Sequence, residues 1–328
     1  MAAYNLTLLL TFVMTGFGTY LWIGWLTGSV ASGLVAGVIA AFLPFRFAHL
    51  LGHLTIVSTQ WVPFALYACD RFVAHKRLKH AVLLGVCTAM VALSSWYYAY
   101  SVALMLSLYA LVRSRPWRVH WHAAWWRGVA AAGAAAAVLV LPFIIPYLRA
   151  RANQDLTRSI GEMESWSLNF YAFFLPNSFN PLWTSFMLTR FPQEATQWVE
   201  RGVSLGYTAL GLALVACVAR RRQPAIIGML AVWAVSYAIA LGPSLHAGDR
   251  PILVPRPLVV LAANTLALVP SLDDVRNDLL DHQGFAIPLP SPFMFLFVPL
   301  TNGMRVMARF GMWTGLMTAA LAGWGTYV

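Results

Sequence analysis

The sequence is poor in charge, and acidic charge is the scarcer kind. Of its 328 residues only 10% are charged, with 11 Asp and Glu against 22 Lys and Arg. A soluble globular chain normally carries about 25% charged residues, so this composition excludes an ordinary soluble domain. Because 60% of the residues are apolar and occur in long runs, we expect the bilayer to act as the solvent. Helices satisfy their backbone hydrogen bonds internally in lipid, which predicts an all-α polytopic membrane protein.

Cysteine is also scarce, and no signal peptide is recognisable. Cys69, Cys87 and Cys217 all lie within apolar stretches, where they act as small hydrophobic residues and form no disulfide framework. Residues 1–5 carry no basic region of the kind that begins a signal peptide. The net charge of +11 does not predict a nucleic-acid partner, because basic residues in such chains collect at the cytoplasmic ends of spans.

Apolar segments that suit a membrane span recur along the chain. Crossing about 30 Å of hydrocarbon takes about 20 helical residues. The weakest assignment is 81–112, which as one helix would run about 48 Å. The aromatic cluster Ser94–Tyr98 predicts a break there, since aromatic residues settle at the membrane interface. About nine spans are predicted, at 5–27, 29–45, 57–72, 81–95, 97–112, 128–147, 203–219, 224–242 and 306–328.

Basic residues determine the predicted orientation. Both flanks of 81–112 are basic, and positive loops prefer the cytoplasm, so this region must cross an even number of times. Half of the basic residues then lie inside with the single acid Asp70, and the other half lie outside with all the other acids. This orientation predicts one membrane domain, 1–328, with two long extracytoplasmic segments at 148–202 and 243–305. The inner basic residues are Arg71, Lys76, Arg77, Lys79, Arg113, Arg115, Arg118, Arg127, Arg220, Arg221 and Arg222.

The same orientation puts Met1 outside and the C-terminus inside. A first span that enters from outside, with no leading signal and no basic flank, is typical of a chain that has lost an earlier span. The run Gly323–Val328 also stops within an apolar helix. The sequence therefore predicts a fragment of a longer protein, and a natural protein with an external N-terminus is the competing interpretation.

Shorter interfacial elements are predicted beside the spans. Residues 257–270 are apolar but too short to cross, which favours an interfacial or re-entrant piece. Residues 273–281 are predicted to form a short surface helix. On the inner side, the Trp-rich stretch 117–126 has the pattern of an interfacial amphipathic helix.

Arg46, His49, His53 and Gln60 form a first candidate site, between the second and third spans. The two histidines are four residues apart and share a helical face, a spacing that can hold a metal. No accompanying Glu or third ligand lies nearby in the sequence, so neither a metal nor another cofactor is predicted. Polar groups at the membrane margin are costly unless they face protein or a water-filled cavity. We expect this cluster either to line a substrate cavity or to hydrogen-bond between helices.

Asp155, Arg158 and Glu162 belong to a second candidate site, at the start of the first outer segment. Carboxylates placed among arginines can act as a general base, while arginine binds phosphate oxygens through two parallel hydrogen bonds. Mixed charge is also typical of a solvated surface, and from the residues alone this plainer interpretation is favoured.

Arg305 and Arg309 form a third candidate site, where the second outer segment leads into the last span. They are four residues apart and lie on the side where positive charge is uncommon. Binding of an anionic lipid phosphate or pyrophosphate is one explanation. Snorkelling of the side chains toward the outer headgroups is an equally supported one.

Seven different short motifs follow one another in a specific order over nearly the whole chain. They are Ala3–Leu6, Pro44–Leu50, Ser58–Pro63, Ser94–Tyr98, Leu241–Pro243, Ile287–Pro290 and Arg305–Phe310. In this order the chain resembles the YfhO-like bacterial membrane proteins. These are grouped with the GT-C superfamily of glycosyltransferases that use polyprenyl-phosphate sugars. The resemblance implies a GT-C-like fold in the bacterial cytoplasmic membrane.

The resemblance also implies an activity, the transfer of a sugar from a polyprenyl-phosphate carrier to an extracytoplasmic acceptor. In that superfamily a catalytic Asp or Glu commonly lies in the first external loop. A fragment that has lost its first span would lack most of this loop and would be inactive. That usual carboxylate therefore has no counterpart in this chain. Asp155 and Glu162, carboxylates of the second loop, remain as the catalytic candidates that would activate or orient an acceptor, and Arg305 and Arg309 are expected to hold the lipid phosphate. The substrate-binding candidates are Arg46, His49, Gln60, Tyr97, Arg158, Arg305 and Arg309.

Two other functional classes compete with the transferase. A transporter or lipid-carrier flippase often shows internal repeats and charged residues in mid-span, and the sequence displays neither. A non-catalytic membrane assembly protein would instead bind a protein partner and no lipid carrier.

Overall fold

Helices make up most of the described chain, which confirms the all-α prediction. A computed structural model describes residues 2–117, 122–152, 159–248, 250–266, 286–298, 301 and 304–328. The helices are α1 Ala2–Thr27, α2 Val30–Ala41, α3 Pro44–Ala48, α4 Leu54–Val57, α5 Trp61–His75, α6 Leu78–Ser94, α7 Trp96–Arg113, α8 Ala123–Ala152, α9 Ile160–Ser165, α10 Thr184–Arg190, α11 Pro192–Thr196, α12 Trp198–Arg201, α13 Tyr207–Ala219, α14 Pro224–Ala240, α15 Arg256–Leu266, α16 Ser291–Phe297 and α17 Gly311–Gly325. Two short strands, β1 His246–Ala247 and β2 Arg250–Pro251, pair antiparallel.

Within the part of the chain that the structure describes, three helical stretches are long and apolar enough to cross a membrane. They are Ala2–Thr27, Val30–Ala48 and Ala123–Pro146. The helices α6, α13 and α14 are apolar but shorter. The third long stretch is also the least buried, and its outer face carries exposed Val138 and Phe143. Large apolar side chains exposed along a helix of this length are typical of contact with lipid.

Helix boundaries differ from the predicted spans at several places. The span predicted at 29–45 contains two helices, because α2 ends at Ala41 and Pro44 begins α3, a position where proline loses no helical hydrogen bond. The segment predicted to start at 57 becomes the long helix α5 only at Trp61. The last segment begins with a 3₁₀ turn, Met307–Phe310, before α17. The break predicted within 81–112 is confirmed, since Ser95 is extended (φ −162°, ψ 134°) between α6 and α7.

The central element of the fold is α17. All of its residues are buried, and it packs against α2, α13 and α14. A helix that is apolar on every side belongs in the middle of a bundle, and small residues such as Gly315, Ala319 and Gly323 allow neighbouring helices to approach it. Gly323 lies directly against the backbone of α2 at Ser32.

The contact between α1 and α2 depends on glycine. A Cβ atom added at Gly37 would lie 2.6 Å from the carbonyl oxygen of Gly16, and one at Gly33 would lie 2.7 Å from that of Tyr20. Glycines four residues apart on one helix face allow two membrane helices to pack backbone to backbone. These two positions therefore set the spacing of α1 and α2.

We expect Gly37→Ala to destabilise the protein by about 1–3 kcal/mol, the usual cost of forcing atoms into a packed contact. The expected result is a lower unfolding temperature in detergent. Gly211→Ala is the matched control, because a Cβ at Gly211 on α13 meets nothing within 4 Å and alanine favours the helix. An equal unfolding temperature in the two variants would contradict the close packing of α1 and α2.

Asp70 forms a polar junction near one end of the bundle. Its carboxylate is fully buried and accepts hydrogen bonds from Trp22 Nε1 at 2.7 Å, Tyr109 Oη at 2.8 Å and Arg113 Nε at 2.7 Å. These donors come from α1 and α7, so one side chain on α5 joins three helices. We call this the basic end, because Lys76, Arg113 and the other basic residues that end α5 and α7 lie beside it.

The opposite end of the bundle holds the longer connections, and we call it the loop end. It comprises residues 42–60, 95–98 and 159–206. The outer segment predicted from 148 starts later than expected, because α8 continues through Pro142 and Pro146 to Ala152. Helix α15, Arg256–Leu266, covers the described part of the apolar stretch predicted at 257–270. The surface helix predicted at 273–281 and residues 118–121 of the Trp-rich stretch lie outside the described residues.

Candidate functional site

Arg46 lies inside the bundle at the loop end. It is carried by α3 and is fully buried. Its Nη1 donates to the carbonyl oxygen of Ala41 at 2.8 Å, and its Nη2 donates to Thr11 Oγ1 at 2.8 Å. The guanidinium also stacks 4.1 Å from the ring centre of Phe12. These contacts tie α1 to the α2–α3 turn, so Arg46 bonds between helices, which is one of the two roles expected from the sequence.

His49 is the next polar side chain, and both of its ring nitrogens are engaged. Nδ1 lies 2.7 Å from the carbonyl oxygen of Phe45, and Nε2 lies 3.2 Å from Glu200 Oε2. Both ring nitrogens therefore face oxygen atoms of the protein itself. Among the described residues no group of three or more His, Cys, Asp and Glu side chains is placed to hold a metal ion.

Glu200 joins His49 to Arg309. Arg309 Nη2 lies 2.8 Å from Oε1 of this carboxylate, and Arg309 Nε lies 3.3 Å from its Oε2. The guanidinium of Arg309 also lies 4.4 Å from the ring centre of Tyr97. We call His49, Glu200, Arg309 and Tyr97 the loop-end network. It links α3, α12, α7 and the turn before α17, which are far apart in sequence.

The environment of Glu200 fixes its charge. Burial alone would raise the pKa of this carboxyl, but hydrogen bonds from His49 and Arg309, together with their charges, lower it to about 2. The carboxylate is therefore ionised, and both of its oxygens are occupied by Arg309 and His49. Removing such a group would leave a buried partner unpaired, and a carboxyl with so low a pKa is a poor general base.

Acid should weaken the fold through Glu200. Because its pKa in the folded protein lies below the ordinary value of 4.5, its stabilising contribution is complete above that pH and is lost as the pH falls toward 2. Between about pH 5 and about pH 3, the unfolding temperature of the wild type should fall more steeply than that of Glu200→Gln, which cannot titrate there. Parallel acid profiles for the two proteins would contradict this assignment.

A second ion pair is more accessible. Arg305 Nη1 lies 3.5 Å from Glu162 Oε1, and the two side chains are 47% and 30% exposed. Glu162 is held in the first turn of α9, where Ser159 Oγ accepts a hydrogen bond from the Glu162 backbone at 3.1 Å. Arg305 also lies over the ring of Trp166, 6.0 Å from its centre. The structure thus brings together a catalytic candidate and a phosphate-binding candidate that are 143 positions apart in the chain.

The other predicted site residues are placed as follows. Gln60 is half-buried before α5, and its Oε1 has no hydrogen-bond partner among the described residues. Tyr97 contacts Arg309 as described above, and the neighbouring Tyr98 donates its hydroxyl to the carbonyl of Ile56, which fixes the start of α7 to the loop end. Asp155 and Arg158 lie outside the described residues.

Two residues of structural importance were given no role from the sequence, Glu200 and Asp70. The only sequence signal for Glu200 is its place in a charged pair with Arg201, just before the apolar segment that becomes α13. Asp70 has a stronger signal, since it is the single acid on the side of the membrane predicted to be cytoplasmic, where the residues are otherwise basic. A lone acid beside an apolar segment is costly without partners, which predicts a buried ion pair.

The fold and the site define a helical protein with apolar helices long enough to cross a membrane and with ionised side chains gathered at one end of the bundle. Residues 3–266 match the family model described as "Domain of unknown function (DUF6311)", and the chain belongs to this family. No curated protein and no solved structure matches the chain.

Proposed function

We propose that the chain is a multi-pass, GT-C-like glycosyltransferase of the bacterial cytoplasmic membrane, with about nine spans and with its loop end facing outward. It takes a sugar from a polyprenyl-phosphate carrier and attaches it to an extracytoplasmic acceptor. This proposal extends the motif order described above, and the observation that carries it is the exposed pair of Glu162 and Arg305. A transferase of this kind needs a carboxylate and a phosphate-binding cation at one place, on the side where the acceptor is found.

Arg305 is the better candidate for the lipid phosphate. Arg309 already donates two hydrogen bonds to Glu200 and lies against Tyr97, so its guanidinium is occupied. Arg305 is half exposed and faces one carboxylate oxygen at the long distance of 3.5 Å. An exposed pair of this type is worth roughly 0–1 kcal/mol, and a phosphate with more negative charge would displace the carboxylate.

Displacement of Glu162 by the carrier phosphate would prepare the reaction. The freed carboxylate accepts the proton of an acceptor hydroxyl while the hydroxyl oxygen attacks the anomeric carbon of the sugar. A new carbon–oxygen bond forms, the bond from the anomeric carbon to the phosphate oxygen breaks, and polyprenyl phosphate leaves with its charge paired to Arg305. Glu162 lies on α9 and Arg305 lies in the segment just before the 3₁₀ turn that leads into α17. Holding both groups in place reduces the entropy cost of bringing the two substrates together.

Transfer assays on two variants test these roles separately. The protein is reconstituted in liposomes with polyprenyl-phosphate donors that carry a radiolabelled hexose. We expect Arg305→Gln to raise the KM for the donor about tenfold, because a charge-assisted hydrogen bond to phosphate is lost. Glu162→Gln should lower kcat about a hundredfold, the usual contribution of a general base.

Arg190→Gln is the matched control, because Arg190 is an exposed arginine at the end of α10, outside this pair. Its kinetics should equal those of the wild type. If transfer survived replacement of both Glu162 and Arg305, these residues would not form the site.

A lipid-carrier flippase is the second candidate, and one cavity favours it. A space of about 530 Å³, lined almost entirely by apolar groups, lies between α5, α6, α7 and α8. Leu84, Val102, Leu106 and Val129 form part of its wall. Its size and lining suit a lipid chain. Movement of fluorescent polyprenyl phosphate across vesicle membranes without a covalent product would support this function over transfer.

A further inference from the structure

A polar cavity of about 280 Å³ lies beside α9, the helix that carries Glu162. Its wall is formed by α9, by residues at both ends of α12 and by the β1–β2 hairpin. Gly248 turns the hairpin with a positive φ of 65°, a conformation that glycine adopts without strain. This turn places His246 in the wall. The lining residues are Gly161, Glu164, Ser165, Gln197, Arg201, His246, Gly248 and Pro251.

Two side chains of the wall are buried and incompletely bonded. His246 is 6% exposed and Arg201 is 9% exposed. Neither His246 Nε2 nor Arg201 Nε has a hydrogen-bond partner among the described residues. Buried polar atoms are nearly always paired in folded proteins, and both of these side chains belong to the wall of this one polar cavity.

The hydrogen-bonding roles of the wall are mixed. His246 Nδ1 lies 2.9 Å from the carbonyl oxygen of Ser244, so in the neutral ring Nδ1 donates and Nε2 is left as an acceptor. The hydroxyl of Ser244 donates to Glu164 Oε1 at 2.6 Å, which holds the second acceptor in place. Arg201 supplies a donor, and the Gln197 amide supplies both kinds of group.

The charge of the wall disfavours an anion. Arg201 already pairs with Glu194, with Nη1 3.2 Å from Oε1, and Glu164 adds a second carboxylate with no second cation in the described wall. Because the wall supplies both acceptors and donors and has excess negative charge, it suits a ligand that both donates and accepts hydrogen bonds and carries no negative charge. Neighbouring hydroxyl groups on a sugar ring have this property.

We propose that this cavity binds an uncharged saccharide through Glu164, Gln197, Arg201 and His246. Its volume equals that of about nine water molecules at roughly 30 Å³ each, and it lies just below the range of roughly 300–1,000 Å³ typical of drug-sized ligands, which fits one sugar unit. A role for this saccharide as the acceptor rests on the proposed transferase function, whereas its binding does not.

Binding of free sugars to the intact protein tests the proposal. Purified protein, in a detergent without a sugar headgroup, is titrated with glucose, galactose and mannose and followed by calorimetry and saturation-transfer NMR. At least one of these sugars should bind in the millimolar range. Gln197→Leu and His246→Phe should each weaken that binding about tenfold, the effect of losing roughly one hydrogen bond of about 1.4 kcal/mol.

Gln223→Leu is the matched control, because Gln223 precedes α14 at the basic end and lies far from the cavity in the fold. Its sugar affinity should equal that of the wild type. Since Gln197 is exposed, the Gln197→Leu protein is expected to fold even if His246→Phe does not.

Three results would overturn the proposal. They are no binding of any of the three sugars by the wild type, unchanged affinity in Gln197→Leu, and tighter binding of glucose 6-phosphate or inorganic phosphate than of the free sugar. Sugar binding without any transfer from polyprenyl-phosphate donors would support the cavity and overturn only the proposed function.

Discussion

Replacing Glu200 by alanine should destabilise the protein by about 3–5 kcal/mol, the cost of leaving buried charges without their partner. His49 and Arg309 both point at this carboxylate, at 3.2 Å and 2.8 Å, and His49 is fully buried. The unfolding free energy in detergent, measured by denaturant titration, should show the loss. The start of α7 and the turn before α17 should also become more accessible to hydrogen exchange, because they are anchored through Tyr97 and Arg309.

Glu162→Ala is the matched control for this prediction. Both variants remove one carboxylate from one arginine, but the Glu162–Arg305 pair is partly exposed. Its loss should change the unfolding free energy by less than about 1 kcal/mol. Equal effects of the two variants would show that burial does not govern these pairs, and the structural role given to Glu200 would then be wrong.

Replacement of Asp70 should have a comparably large effect at the other end of the bundle. Asp70→Ala removes three hydrogen-bond acceptor contacts at once, to Trp22, Tyr109 and Arg113. It leaves the guanidinium of Arg113 unpaired in a largely apolar setting, so we expect a loss of about 3–5 kcal/mol. Thermal unfolding in detergent should report it as a large fall in the midpoint.

A double variant separates the charge of Asp70 from its packing. Asp70→Asn keeps an acceptor for Trp22 and Tyr109 but loses the charge, and Arg113→Gln removes the cation it leaves behind. The double replacement should therefore destabilise the protein less than Asp70→Asn alone, and the cycle should show a coupling energy of about 1–3 kcal/mol. Strict additivity of the two single effects would contradict a direct ion pair between α5 and α7.

The positions of the helices could be predicted from sequence because the apolar composition and length of each segment determine where a helix forms. A helix occupies most of each predicted segment, and the interruption at Ser95 followed from the excess length of 81–112. The end of α2 was missed because apolar residues continue to 45, whereas the break depends on the backbone preference of Pro44. The number of crossings and their orientation stay predictions.

The candidate site could be predicted only in part. Glu162 and Arg305 each stood out as a charge in a polar segment, but their meeting depends on how two distant segments fold. Glu200 could not be recognised, because its partner His49 lies 151 positions away and no periodic pattern links them. The sequence also grouped Arg305 with Arg309, while their different burial gives one an accessible pair and the other a buried one.

Two of the ion pairs at the loop end have different roles: Glu200–Arg309 is buried and structural, whereas Glu162–Arg305 is the accessible pair of the proposed site. The loop-end network holds α3, α7 and α12 against the turn that leads into α17. Arg305 lies only four residues before Arg309 in the chain. The network therefore also fixes the position from which Arg305 reaches Glu162. A rigid support behind an accessible pair is what positioned catalytic groups require.

Transfer of labelled sugar is the most direct test of the proposed function. Polyprenyl-phosphate donors labelled in the hexose are placed in the outer leaflet with the reconstituted protein, and label is followed from the lipid fraction into a water-soluble or protein-bound acceptor. We expect transfer by the wild type and its loss when Glu162 and Arg305 are both replaced. Label that stays on the carrier in the wild type, whether or not the carrier crosses the membrane, would contradict the proposed function.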